Sequence, residues 1–142
     1  MSIGTAIGLA VSGTATADAK LTVKQLPAPV RKAAVENLRG GVITGASTEI
    51  ENGKTRYEVE TTIAGHGRDL LFEADGTLVS VEEAVALDAV PDGVRKALTS
   101  RGKVLKVESV TTGATVTYEG IVERAGKRSE VTVGADGAPV QP

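Results

Sequence analysis

The chain has 142 residues, enough for one ordinary domain or two very small ones. Its 41% hydrophobic and 24% charged residues give the balance of a soluble globular protein, and a net charge of −2 supplies no field for nucleic acid or acidic lipid, so neither is an expected partner. The absence of cysteine excludes disulfides, a lipidated cysteine and thiolate metal sites, and with Tyr57, Phe72 and Tyr118 as the whole aromatic set the core must be aliphatic.

Residues 1–19 differ from the rest. Ile3 to Val11 is a short apolar run, followed by the small-residue patterns Ala15-Thr16-Ala17 and Ala17-Asp18-Ala19, and the first charge is Asp18. This is the pattern of an export-signal h-region with a cleavage site, with only Met1-Ser2 where a basic segment would precede it. The expectation is an exported protein, periplasmic or secreted. The run is too short to span a bilayer, so no stable membrane insertion is expected.

From residue 20 the chain reads twice in the same order. Leu26 to Ala34 aligns with Val90 to Leu98, with five of nine positions identical, and Tyr57 to Val79 aligns with Tyr118 to Val140. Pro27 and Pro91 stand where a helix begins, a place that tolerates a missing N–H. Val30, Ala33, Ala34 and Leu38 then recur at helical spacing, and Gly40-Gly41 ends the first helix. The second helix is shorter, with Val94, Ala97 and Leu98 as its stripe and Gly102 beyond it.

After each helix the period changes to two. Thr48 to Glu51 leads into Asn52-Gly53, a hairpin signal, and Tyr57, Val59, Thr61 and Ile63 alternate with polar residues. A loop at Ala64 to Gly67 precedes Leu70 and Phe72, and Asp75-Gly76 turns into Leu78 to Val81, with Val81-Glu82-Glu83 leading as a linker to Val90-Pro91. The second copy carries Val116, Tyr118 and Val122, then Gly126-Lys127, Val131, Val133 and Asp136-Gly137. The expected fold is α+β, a tandem repeat of one helix with a three- to four-stranded antiparallel sheet, in units 20–84 and 85–142.

The face of each sheet away from its helix should carry Glu58, Glu60, Thr62, Asp69, Leu71 and Glu73 in one copy. In the other it should carry Thr117, Glu119, Ile121, Glu123, Glu130 and Thr132. It is an acidic, threonine-rich face, which reads first as a solvated sheet face and alternatively as a shallow binding surface for an extended or basic partner. His66 and Arg68 at one hairpin and Lys127 and Arg128 at the equivalent one supply exposed tips, where a rigid scaffold usually carries its binding residues. The candidate partner-binding set is therefore His66, Arg68, Lys127, Arg128, Glu58, Glu60 and Glu119.

No catalytic constellation is expected. His66 is the one imidazole, and no serine or cysteine lies in a nucleophile motif. Asp69, Glu73 and Asp75 gather near one hairpin without the spacing of a calcium loop, and no glycine-rich segment reads as a phosphate loop. Neither a metal nor a cofactor is expected.

The series Leu26-Pro27, Val30-Arg31-Lys32-Ala33, Tyr57-Glu58-Val59-Glu60 and Glu73-Ala74-Asp75-Gly76 resembles the PepSY-like domains, a group compared with β-lactamase inhibitory protein. The resemblance covers most of residues 21–142. It implies an exported bacterial protein with helix-plus-sheet units acting as a non-enzymatic binding module for a protein or peptide. It also carries the alternative of an inhibitor of a secreted or periplasmic peptidase or β-lactamase. Unlike that inhibitor, the chain has no disulfide cysteines and almost no aromatic residues.

Overall fold

A computed structural model of the chain describes residues 16–140, so most of the expected export segment, residues 1–19, lies outside the described residues. Among these residues, eight strands form one antiparallel sheet in which every strand pairs with its sequence neighbours: β1 (Thr16–Leu21), β2 (Val42–Glu51), β3 (Lys54–Ile63), β4 (His66–Phe72), β5 (Leu78–Ala84), β6 (Lys103–Thr112), β7 (Thr115–Arg124) and β8 (Lys127–Gly134). Two short helices, α1 (Ala28–Glu36) and α2 (Asp92–Thr99), lie between β1 and β2 and between β5 and β6.

The expected α+β tandem of helix-plus-sheet units is not the fold. The chain is mainly β, one continuous open sheet with helices of only nine and eight residues. What joins the sheet is the stretch read as a linker. Val81, Glu82, Glu83 and Ala84 stay in β5 and pair with Thr111, Val110, Ser109 and Glu108 of β6. Residues 103–112 escape a period-two reading because their valines, Val104, Val107 and Val110, are spaced by three. A bulge between Val104 and Lys106 lets Val104 and Val107 share one face despite that spacing, while Val110 turns to the other. A second bulge between Ile43 and Gly45 does the same for Ile43 and Ala46. At the N-terminal edge Thr16–Leu21, partly within the expected cleavage region, pairs with β2.

Both helices cover the same face. Pro27 and Pro91 cap them, as their fixed φ and absent N–H allow. Leu26, Val30 and Ala34 pack on Ala46, Val59, Leu70 and Phe72, whereas Val90, Val94 and Leu98 pack on Val107, Val122, Val131 and Val133. Burying each of the Val, Leu and Phe side chains is worth about 1.5–3 kcal/mol. The second cluster needs a glycine for clearance: a Cβ on Gly120 would lie 2.7 Å from Leu98 Cδ2. At the start of α2 a Cβ on Gly93 would lie 2.4 Å from the Asp136 carbonyl oxygen, so helix and turn meet backbone to backbone.

Candidate functional site: an acidic sheet face

Pairing residues in adjacent strands point to the same side, so the register fixes what shares the face away from the helices. Glu60 pairs with Asp69 and Asp69 with Glu82 in one row. Two residues along the strands, Glu108 pairs with Glu119, and one step further Glu130 pairs with Ile121. Each strand from β3 to β8 thus contributes one carboxylate to a stripe that crosses the sheet diagonally. Glu58, beside Leu71, flanks it. Gly45 makes room for one end, because a Cβ there would stand 2.7 Å from Glu60 Oε2.

The middle of this face is buried although, among the described residues, both helices pack on the other side. Leu71, Ser80, Glu82 and Val110 are each at most 6% exposed. Among the described residues, Glu82 Oε1 is buried and has no hydrogen-bond partner. Burial, with the like charges of Glu119, Glu108, Glu58 and Asp69, pushes the Glu82 carboxyl up to about 8. Burial also lifts Glu119 to about 7, with Glu130 and Glu108 adding to it and Lys106 opposing. Asp69 rises to about 6 for the same first cause, partly offset by a 3.4 Å hydrogen bond from the Thr61 amide. Glu130 is raised by burial and by Glu108. Lys106, whose Nζ lies 2.6 Å from Glu108 Oε1, acts on Asp69, Glu119 and Glu130.

The opposite end of the face is neutralised. Lys54 Nζ is 3.0 Å from Glu73 Oε2, Arg56 Nε is 3.3 Å from Glu73 Oε1, and Arg56 also pairs with Glu51. Lys54 and Arg56 hold the Glu73 carboxyl below its ordinary value, in contrast with the raised carboxyls of the stripe. A pocket of about 280 Å³ opens between the two regions, with Arg56 and Glu49 on one side and Leu71, Ser80 and Thr112 on the other.

Of the residues singled out in the sequence, Glu58, Glu60 and Glu119 lie on this face. Arg128 reaches it at the β7–β8 end, with Nε 3.5 Å from Glu123 Oε2, and Lys127 pairs with Arg124 beside it, both exposed. His66 and Arg68 are elsewhere. The turn before β4 is only Ala64-Gly65, both at positive φ, so His66 opens the strand instead of sitting in a loop. His66 Nε2 lies 2.7 Å from Glu83 Oε1. Arg68, expected at an exposed tip, is 3% exposed on the helix side, where its guanidinium donates to the Asn37 carbonyl at 2.7 Å and lies 3.8 Å from Glu83. Burial and nearby Arg39 lower its pKa. Arg68 thus ties the end of α1 to the sheet.

The three carboxylates that gather near one hairpin in the sequence separate in space. Asp69 joins the stripe, Glu73 pairs with Lys54 and Arg56, and Asp75 accepts from the Thr77 amide. Among the described residues no three His, Cys, Asp or Glu side chains converge to hold a metal ion. Glu82 and Glu108, the two most central acids, do not stand out in the sequence, because one falls in the supposed linker and the other in the strand with the three-residue spacing. No helix among the described residues is long and apolar enough to cross a membrane.

No family model and no curated protein matches the chain. Solved structures do. A DUF2874 family protein from Bacteroides uniformis is 18% identical with a TM-score of 0.67, covering 81% of this chain and 86% of that one. A candidate periplasmic protein from Bacteroides eggerthii is 17% identical with a TM-score of 0.65 over 81% and 86% of the two chains. A BLIP-like protein from Bacteroides fragilis is 15% identical with a TM-score of 0.61 over 80% and 82%. At these identities the likeness is one of fold: the chain has the open antiparallel sheet with two short helices found in BLIP-like and DUF2874 structures.

Proposed function

We propose that the chain is a non-enzymatic, exported binding module that recognises a protein or peptide through the sheet face turned away from its helices, with the exposed β7–β8 tip at Lys127 and Arg128 as an accessory contact. The observation that carries this reading is the face itself. It is eight strands wide, it has a buried floor at Leu71, Ser80 and Val110, and among the described residues its central carboxylates outnumber the cation beside them, Lys106. A face that only contacts water has no need of such a floor, since polar side chains of a solvated sheet face are cheapest when fully hydrated. Export is favoured by the signal-like segment at residues 3–17 and by the candidate periplasmic protein among the similar folds.

Selecting peptides from a displayed library on the purified chain, then mapping their contacts by amide hydrogen exchange, tests the reading. Protection is expected on β3 to β7, with little change in α1 and α2. Protection confined to the helices, or no selection at all, would remove it. A second reading, inhibition of a secreted or periplasmic peptidase or β-lactamase, is favoured by the BLIP-like fold. It predicts that at least one hydrolase in a panel loses activity at micromolar chain concentration.

A further inference from the structure

We infer that the diagonal carboxylate stripe Glu60, Asp69, Glu82, Glu108, Glu119 and Glu130 seats an extended segment of a partner protein bearing lysine or arginine at alternate positions, with one cation placed against Glu82. This deepens the reading of the open face as the binding surface and rests on it.

Geometry sets the size of the segment. Five inter-strand steps of about 4.8 Å and two diagonal offsets make the stripe about 27 Å long, which an extended chain covers with about eight residues. Side chains on one side of such a chain recur about every 6.7 Å, so four cations would meet the six carboxylates. Charge sets the kind of segment. Elsewhere on this face the chain sets cations against its own acids: Lys54 and Arg56 at Glu51 and Glu73, and Arg128 at Glu123. Along the stripe it supplies Lys106, already engaged by Glu108 at 2.6 Å. That contact shows an ammonium held by the stripe and leaves the excess negative charge standing.

Glu82 is the independent sign of a missing partner. It is 6% exposed, and its buried Oε1 has no donor among the described residues. A carboxyl in that state is normally hydrogen-bonded, and leaving it without a donor costs free energy. The groups facing it are Glu58 and Asp69 from β3 and β4, and Glu108 and Glu119 from β6 and β7, and each of them repels its ionised form, while Lys106 acts on Asp69, Glu119 and Glu130. An incoming ammonium or guanidinium would supply the donor and favour the carboxylate. Because Glu82 is raised to about 8, seating a cation would release its proton near neutral pH.

The probe is a capped octapeptide alternating lysine and threonine, titrated calorimetrically into the whole chain at 50 mM salt, with glutamine-for-lysine and glutamate-for-lysine peptides alongside. The lysine peptide is expected to bind at least tenfold tighter at pH 9 than at pH 6, with proton release near neutral pH. Glu82→Gln or Glu119→Gln should each weaken binding about tenfold, and the glutamine and glutamate peptides should bind no more than marginally. Equal binding of the lysine and glutamine peptides would overturn the cation inference while leaving the face as a binding surface. So would unchanged affinity in both variants, or binding of calcium chloride at Glu82 where the peptide does not bind. No binding by any peptide on this face, in calorimetry or in hydrogen exchange, would remove both. Circular dichroism confirms that each variant is folded.

Discussion

Replacing Glu82 with glutamine should stabilise the protein, and the gain should grow with pH. In the native state Glu82 titrates at about 8, whereas exposed in the unfolded chain it titrates near 4.5. Below 4.5 both states hold the proton and the group contributes no pH dependence. Between 4.5 and 8 the unfolded chain releases a proton that the native protein retains, so stability falls as pH rises; above 8 the loss is complete. At about 1.4 kcal/mol per unit, the rise from 4.5 to about 8 amounts to about 5 kcal/mol in total, of which about 4 kcal/mol is lost between pH 5 and pH 8.5. That is a large share of the 5–15 kcal/mol, in order of magnitude, that holds a small domain folded. Urea unfolding followed by far-ultraviolet circular dichroism at pH 5, 7 and 8.5 measures it. Wild type should lose stability across this range, and Glu82→Gln should lose about 3–4 kcal/mol less. Some slope should persist in the variant from Asp69, raised to about 6, and Glu119, raised to about 7. Parallel stability curves for the two proteins from pH 5 to 8.5 would refute the reasoning, because they would mean that Glu82 is hydrated and ionised in the native state.

Lys106→Met removes the cation that opposes the raised carboxyls of Asp69, Glu119 and Glu130. It should cost about 0.5–1 kcal/mol at pH 8 and less at pH 5, read from the same urea titrations. Arg68→Ala deletes the buried guanidinium that donates to the Asn37 carbonyl and faces Glu83. A loss of about 2–3 kcal/mol is expected by chemical denaturation, with faster amide exchange at the end of α1. Gly93→Ala places a methyl 2.4 Å from the Asp136 carbonyl oxygen, backbone that cannot swing aside. It should lower stability by about 2–3 kcal/mol, visible as a lower melting temperature.

The local rules of the chain are well written in its residues. Pro27 and Pro91 stand at helix starts, Asn52-Gly53 makes its hairpin turn, and Tyr57, Val59 and Thr61 alternate with Glu58, Glu60 and Thr62 across the two faces, as their spacing predicts. The fold class is not legible from those rules, because it depends on whether β5 finds a partner. Glu82-Glu83 reads as a solvated linker, since two adjacent acids carry no two-residue hydrophobic period. In the sheet they point to opposite faces, Glu83 towards Arg68 and Glu82 into the acidic stripe. Arg68 is misplaced for a related reason. Its neighbours Gly67 and Asp69 suggest an exposed loop, and only the register with Thr61 shows that it faces the helices, where Asn37 receives it.

The same register explains why the acids matter more together than singly. Glu58, Glu60 and Glu119 stand out in sequence as strand acids on a face that ought to be solvated, and a carboxylate in water near its strand neighbour costs little at physiological salt. Joining the strands into one sheet changes their environment. Glu108 comes to act on Asp69, Glu82, Glu119 and Glu130 alike, and the floor around Glu82 is closed to water. Charges that would be screened at the surface then repel through a medium that screens them poorly. A glutamine at position 82 would remove the repulsion at almost no cost in volume. A protein whose role were to fold alone would gain from that exchange, whereas one that meets a cationic partner would lose the group that recognises it. The cost in stability and the capacity to bind thus lie in one side chain, and a Glu82→Gln protein that is both more stable at pH 8 and weaker for the lysine peptide would show the two effects to have one cause.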